Sequence, residues 1–320
     1  MPQTRILPGE AAAAIAEAGR LLRAGRLVAF PTETVYGLGA DGLNPEAVAR
    51  IYAAKGRPAT NPLILHVPDT EAARALVADW PPEADALARR FWPGPLTLVL
   101  PAAPSVPELV RAGNPTVALR CPAHPVALAL LRAADRPLAA PSANRSLGVS
   151  PTRAWHVAAS LGGKVDLILD GGPTEAGLES TILSLAQRPF RLLRPGPIPP
   201  SDLEAVVGPV VLWSGAVADG QTQAAPGMAR KHYSPATPLR LVPREALVPA
   251  PGTALVAFGT LPPGVEGRIL PLDPEAAGAA LYALLHDLDA EGWTGILLEH
   301  PPEGEAWLAF QDRIARAAAE

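Results

Sequence analysis

Cysteine is almost absent: Cys121 stands alone among 320 residues. That excludes an internal disulfide and any metal site built from several thiolates. Lysine is nearly as scarce, with only Lys55, Lys164 and Lys231 among 27 basic residues. Aromatic residues make up 5% of the chain, and no apolar run reaches the roughly 18 residues a membrane span requires. The opening residues MPQTRILPGE carry no apolar signal core, so the expected location is cytoplasmic. A net charge of −4 and a pI near 5.9 leave no global basic field to draw the chain to nucleic acid or membrane, although a local anion pocket stays possible.

Several chemical signatures are missing too. The sequence contains no G-x-x-x-x-G-K-[ST], no H-E-x-x-H and no G-x-S-x-G. One match, Gly37-Leu38-Gly39-Ala40-Asp41-Gly42, satisfies the G-x-G-x-x-G of dinucleotide-binding turns. Such a turn requires its first glycine directly after a buried strand and an acidic residue about 20 positions on. Here six residues, Pro31 to Tyr36, separate the apolar segment ending at Phe30 from Gly37, and no carboxylate precedes Asp69 in the window near position 60. The dinucleotide reading fails both tests. The glycines are expected instead to let the backbone pass close to a ligand or adopt positive φ beside Thr32, Glu33 and Thr34.

What is present points to a folded α/β chain. Hydrophobic residues make up 48% and charged residues 18%, which supports well-filled cores, and the length favours two domains. The 39 prolines stiffen loops. Apolar strand patterns at 27–30, 62–67, 96–100, 116–120, 138–140, 165–169 and 181–185 alternate with helical ones at 10–24, 44–54, 70–78, 83–91 and 124–134. The pattern dissolves near 205, and residues 214–227 (SGAVADGQTQAAPG) read as a linker. Strands at 239–242, 254–258 and 296–299 and helices at 276–288 and 305–319 follow. The expected organisation is a first domain over 1–205, a linker over 206–237 and a smaller α/β domain over 238–320.

Lys55-Gly56-Arg57-Pro58 places two cations in a proline-flanked loop, an arrangement that clamps phosphate oxygens or simply caps a helix. His66 fits a packed strand residue as well as a ligand. Pro141 to Ser146 (PSANRS) follows a strand's C-terminal end, where α/β sheets bind ligands. Thr116, Arg120, Glu179-Ser180-Thr181 and Arg194 add hydroxyls and guanidiniums. Together Lys55, Arg57, Arg120 and Arg194 describe a site for a multiply anionic ligand. No carboxylate pair or nucleophile–base pair stands out, which favours catalysis by positioning and charge stabilisation.

Seven ordered blocks, PTETVYGLGA, KGRPATNPLILHV, FWPGPLTLVL, ALRCPAHP, APSANRS…SPT, DGGPTEAGLESTI and LLRPGPI, resemble the YrdC-like domain of threonylcarbamoyl-AMP synthases. APGMARKHYSPATPL resembles the linker to the extra C-terminal domain of the family's long form. The resemblance implies a twisted mixed sheet with a concave cationic face, followed by a smaller Rossmann-like domain. It implies synthesis of threonylcarbamoyl-adenylate from L-threonine, bicarbonate or CO2 and ATP with release of diphosphate, a nucleotidyltransferase step. Separate proteins then transfer the group to the adenosine 3′ of the anticodon in tRNAs reading A-starting codons; whether this chain touches tRNA directly is left open. By the family pattern Thr34, His66, Arg120, the Ala140 backbone and Ser180 would hold threonine. Lys55, Arg57, Asn61, Thr116, Ser142, Asn144, Ser150, Arg194 and Tyr233 would line the ATP side, with Lys55, Arg57, Ser142 and Asn144 closest to the chemistry. Mg2+ would travel with the triphosphate, with no protein metal site. Pro226–Pro235 is expected to act as a lid. Two departures from the family pattern are Leu147 where glycine is common and Phe30 where tyrosine often precedes PTE. An RNA-binding module and a carbamoyl-adenylate-forming enzyme are the alternatives.

Overall fold

The computed structural model describes residues 4–213 and 221–319; residues 214–220 of the expected linker lie outside the described residues. Two sheets organise the chain. The first contains β1 (Arg5–Pro8), β2 (Val28–Phe30), β3 (Gly37–Asp41), β4 (Ile64–His66), β5 (Leu96–Pro101) and β6 (Thr116–Arg120). It continues with β7 (Leu138–Ala139), β8 (Leu167–Asp170), β9 (Thr181–Ser184), β10 (Phe190–Arg194) and β11 (Val210–Leu212). Their spatial order is β1-β8-β2-β3-β7-β4-β6-β5-β9-β10-β11, with parallel and antiparallel pairs mixed. The second sheet, β12 (Leu239–Val242), β13 (Thr253–Phe258), β14 (Arg268–Leu270) and β15 (Gly295–Glu299), is parallel throughout, in the order β12-β15-β13-β14.

The two faces of the central strands have separate tasks, because side chains alternate with period two. Leu65, Leu98, Leu100, Val117, Leu119, Leu183 and Leu192 point to one face and pack against Val48 and Ile51 of helix Pro45–Lys55, Leu87 of helix Pro82–Phe91 and Leu203 of helix Pro200–Val207. Each such fully buried side chain contributes roughly 2 kcal/mol through the water it sheds. Ile64, Val99, Ala118, Ile182 and Leu193 point the other way, where Ala225 and Met228 of the linker cover them. His66, Arg120 and Thr97 keep the same alternation and so share this second face. Arg194 would not, being two residues from Leu192. A register shift between Leu192 and Arg194 sets Arg194 opposite Ile182 and turns it to the linker-covered side.

The glycine stretch departs from expectation. Gly37, Gly39 and Gly42 do not adopt positive φ. Residues 37–41 are β3, antiparallel to β2. A side chain at Gly39 would meet the Phe30 ring at 2.8 Å, and one at Gly42 would meet Leu65 at 2.4 Å. They are glycines because neighbouring side chains cross the strand there.

Helix Pro45–Lys55 starts as its sequence predicts: the Asn44 side chain accepts from Glu46 N at 3.0 Å, Pro45 takes the first turn, and Gly56 ends the helix with φ 63°. Helix Pro274–Glu291 lies between β14 and β15. Its Leu281, Tyr282 and Leu285 share one apolar cluster with Val35, Val149, Leu178 and Tyr233, so the second domain's core continues onto the first.

Candidate active site

A cavity of about 50 Å³ opens on the linker-covered face. Its walls come from the β2–β3 loop (Thr32, Thr34), the ends of β4 and β6 (His66, Arg120), the 140–142 segment, Ser180 and Arg194, with Gly227 and Tyr233 as cover. Ligand pockets span roughly 300–1,000 Å³, so the cover lies closed.

Arg120 anchors one end. Its Nη1 donates to Thr34 Oγ1 at 2.8 Å, its Nε to Gly94 O at 3.3 Å, and its Nη2 lies 2.8 Å from Glu33 Oε1. Glu33 is itself held by the Ala123 N–H at 3.0 Å. His66 sits beside Arg120 in parallel register and meets Phe30 edge-on at 6.3 Å. Burial, reinforced by the Arg120 charge, pushes His66 down to about 3, so the ring is neutral at pH 7. Its Nδ1 has no partner among the described residues. A guanidinium and a neutral imidazole side by side suit a carboxylate and a hydroxyl.

Ser180 and Arg194 form the adjoining wall. Arg194 donates from Nε to Ser180 O and from Nη2 to Ser180 Oγ, both at 3.1 Å, while Thr97 Oγ1 is 2.7 Å from Ser180 Oγ. Arg57 donates to Asn61 O at 3.0 Å, Asn61 Oδ1 at 2.5 Å and Pro62 O at 2.7 Å. Burial lowers Arg57 to about 10. Lys55 Nζ donates at 2.5 Å to both Ser142 O and Asn144 O. Burial and then the Arg57 charge hold Lys55 well below the ordinary lysine range. Two buried cations leaning on neutral carbonyls are under-compensated, and a polyanion would supply the missing charge.

The structure therefore brings nine of the fourteen sequence-derived residues into the cavity wall: Thr34, His66, Arg120, Ala140, Ser180, Arg57, Ser142, Arg194 and Tyr233. The other five stand back from it. Lys55 and Asn61 lie behind the wall, tied as described. Asn144 donates from Nδ2 to Arg145 O and Gly148 O, both at 2.8 Å. Ser150 donates to Glu179 Oε1. Thr116 lies at the far end of β6, about 13 Å from Arg120 along the strand. The face between them is covered by Ala225 and Met228, and Asn114 Nδ2 holds Gln223 O at 2.8 Å. Leu147 adopts φ 70°, the left-handed backbone that glycine favours, and its carbonyl accepts from Ser234 N at 2.9 Å.

Glu33, Glu179, His232 and Arg313 are missing from the sequence-derived set. Glu179 is deeply buried; burial works to raise it, but Arg313 above all and then Arg194 hold it down at about 2. Its partners, Arg313 and Tyr282, lie more than 100 positions later, and no local spacing signals them. Glu33 was visible inside PTET, and its ion pair with Arg120 follows only from the strand register.

The chain is similar to known proteins over nearly its whole length. A Sua5/YciO/YrdC family model described as telomere recombination matches residues 20–196, and one described as the threonylcarbamoyl-AMP synthase C-terminal domain matches 198–319. A threonylcarbamoyl-AMP synthase of Pyrococcus abyssi is 42% identical over 315 residues, covering 94% of this chain and 93% of that protein. One of Bacillus subtilis is 42% identical over 320 residues, covering 95% and 92%. The crystal structure of P. abyssi Sua5 complexed with L-threonine superposes with a TM-score of 0.85 at 38% identity, covering 95% of this chain and 94% of that one.

Proposed function

The chain belongs to the threonylcarbamoyl-AMP synthase family, and from that premise we propose that it makes L-threonylcarbamoyl-AMP from L-threonine, bicarbonate or CO2, and ATP. The observation that carries the reading is the single cavity shared by Thr34, His66, Arg120 and Ser180 with Arg57, Ser142, Arg194 and Tyr233. The amine of threonine takes up CO2 to give a carbamate and a proton. A carbamate oxygen then attacks the α-phosphorus of ATP, and diphosphate leaves. Both reactants are anionic, so the site's work is to hold them together and to offset charge growing on diphosphate.

In this reading Arg120 takes the threonine carboxylate, and His66 and Ser180 serve its hydroxyl and amine side. Arg57 and Arg194 face the phosphates, Ser142 and the Lys55-supported loop position them, and Asn61, Thr116, Asn144 and Ser150 complete the nucleotide side once the cover lifts. Mg2+ arrives with the triphosphate; the buried carboxylates Glu33 and Glu179 already serve arginines. The product passes to a separate tRNA-modifying complex. We divide the chain into a catalytic domain (1–205), a linker and lid (206–237) and a C-terminal domain (238–320), with β11 carrying the first sheet on to Leu212. An RNA-gripping role for the same arginines gains no support, because Arg57, Arg120 and Arg194 are buried. Among the described residues no helix is long and apolar enough to cross a membrane.

Exchange of labelled diphosphate into ATP tests this reading. Exchange should appear only with L-threonine and bicarbonate both present. Exchange independent of threonine, or none under any condition, would overturn it.

A further inference from the structure

Arg313 is the largest fully buried side chain, and it comes from helix Leu308–Ala317 of the C-terminal domain. Its fork reaches into the first domain. Nε donates to Glu179 Oε2 at 2.8 Å, and Nη2 donates to Pro195 O at 2.8 Å and Glu179 O at 3.3 Å. Nη1 is fixed by Asp312 Oδ2 at 2.6 Å. Glu179 is engaged on both oxygens: Oε1 accepts from Ser150 and Oε2 accepts from Tyr282 OH at 3.0 Å. The guanidinium carbon also lies 5.2 Å from the centre of the Tyr233 ring, and Tyr282 stacks on that ring at 5.9 Å.

Three segments that meet at the cavity thus converge on one side chain. Glu179 precedes Ser180, whose hydroxyl forms part of the wall. Pro195 follows Arg194. Tyr233 is the cover, held at φ 62° with its hydroxyl unpartnered among the described residues. An ordinary interdomain contact would need none of this charge, since a buried ion pair contributes little net stability compared with apolar packing. Breaking one, by contrast, leaves an unpaired charge beside the site.

We propose that Arg313 is a positioning residue: through Glu179, Pro195 and the Tyr233 ring, the C-terminal domain sets the Ser180 and Arg194 wall and the cover into the geometry that binds L-threonine and ATP. The proposal rests on the function proposed above. It makes the C-terminal domain part of the active site's construction, although none of its residues touches the cavity. Lysine cannot replace Arg313, since one ammonium cannot reach Glu179 and Pro195 in the planar fork while facing Tyr233.

The test uses the full chain and compares Arg313→Met, Arg313→Lys, Glu179→Gln and the Arg313→Met/Glu179→Gln double variant. Leu288→Ala, a fully buried core change on helix Pro274–Glu291, is the control for loss of stability alone. Each is measured for thermal midpoint and for KM and kcat of threonine-dependent diphosphate release. Arg313→Met should raise KM for L-threonine on the order of tenfold or more, and Arg313→Lys should rescue little. The double variant should lose less than the two single variants multiplied together, because both act through one contact. Glu179→Gln, which keeps the side chain's shape, should also raise KM for threonine and covers the case in which Arg313→Met does not fold. Wild-type KM values in folded Arg313→Met or in Glu179→Gln would overturn the proposal. So would a Leu288→Ala variant of equal thermal midpoint that reproduced the KM rise. Absence of threonine-dependent release in the unmodified protein would instead strike the functional reading itself, so the two failures are distinguishable.

Discussion

Lys55 ends its helix with an ammonium that leaves the helix axis and donates to the carbonyls of Ser142 and Asn144. Its neighbour Arg57 reaches the cavity wall, whereas Lys55 supports the loop from which Ser142 reaches it. Lys55→Met should therefore lower the rate of diphosphate exchange on the order of 10²-fold, as loss of a preorganised electrostatic contact does. Lys55→Arg should not restore it, because a planar guanidinium does not fit a point donor's place between two carbonyls in a buried site. Full exchange in folded Lys55→Met would remove Lys55 from the mechanism. Of the two readings of KGRP, the structure shows the helix cap, and the phosphate clamp belongs to the function proposed above. Gly56 does cap the helix, and the two cations do meet the site, one at the wall and one behind it.

At the scale of elements, the proposed function makes the cover the segment whose conformation has to change. Ala225 and Met228 sit on Ile64, Ala118 and Ile182, on the strip that leads from Arg120 towards Thr116. On the proposed site assignment, ATP reaching from the threonine pocket to Thr116 needs that strip, so the cover would lift to admit it and reseat to exclude water. Gly227 is the point of least tolerance. It has φ 86°, and a side chain there would approach Tyr233 OH to 2.4 Å and Arg194 to 3.1 Å. Positive φ alone costs a non-glycine residue about 1–2 kcal/mol, roughly tenfold in a binding constant. Gly227→Ala should accordingly raise KM for ATP by about tenfold or more. An unchanged KM for ATP would show that this cover need not seat to bind nucleotide.

The same scale shows what could be read in advance. Strands 62–67, 96–100 and 116–120 and the helix from Asn44 were legible because apolar runs, β-branching and caps agree locally. β3 was not, since three glycines in six residues carry no strand propensity, and only side chains crossing from elsewhere, Phe30 at Gly39 and Leu65 at Gly42, account for them. The edge strands β1, β11 and β14 and helix Ala154–Leu161 carry no clear pattern because short edge strands and short helices are held by register and packing, and interior β10 breaks its own alternation at the register shift before Arg194. The cationic residues of the site were visible as a set. Their carboxylate partners were not, because pairs such as Glu179 and Arg313 exist only once two domains have met.

Three of the six histidines, His66, His156 and His232, are buried without charge, and this shapes how the molecule meets acid. Burial pushes His66, His156 and His232 down to about 3 from an ordinary value of 6.5, and lowers His286 as well. His156 and His286 stack at 3.8 Å across the domain boundary, with His286 Nε2 donating to Ser150 O at 3.1 Å, Arg153 near His156, and Asp287 and Asp289 near His286. Below pH 6.5 the unfolded chain takes up protons that the folded one refuses, so stability falls as pH falls. Each histidine that stays neutral contributes about 1.4 kcal/mol per pH unit to that fall. Glu179 acts in a lower window. Its carboxylate is held at about 2 against an ordinary 4.5, so its contribution is intact above 4.5 and lost only between 4.5 and 2. The thermal midpoint should therefore be level above pH 7 and decline steadily from pH 6.5 to 5, before any carboxylate takes part. Replacing His156 and His286 together by Gln should flatten part of that decline, since two groups that would repel when protonated are gone. A midpoint that stays constant from pH 7.5 to 5 would mean these rings find room for their protons in the folded state. In that case the domain boundary is wetter than its packing implies.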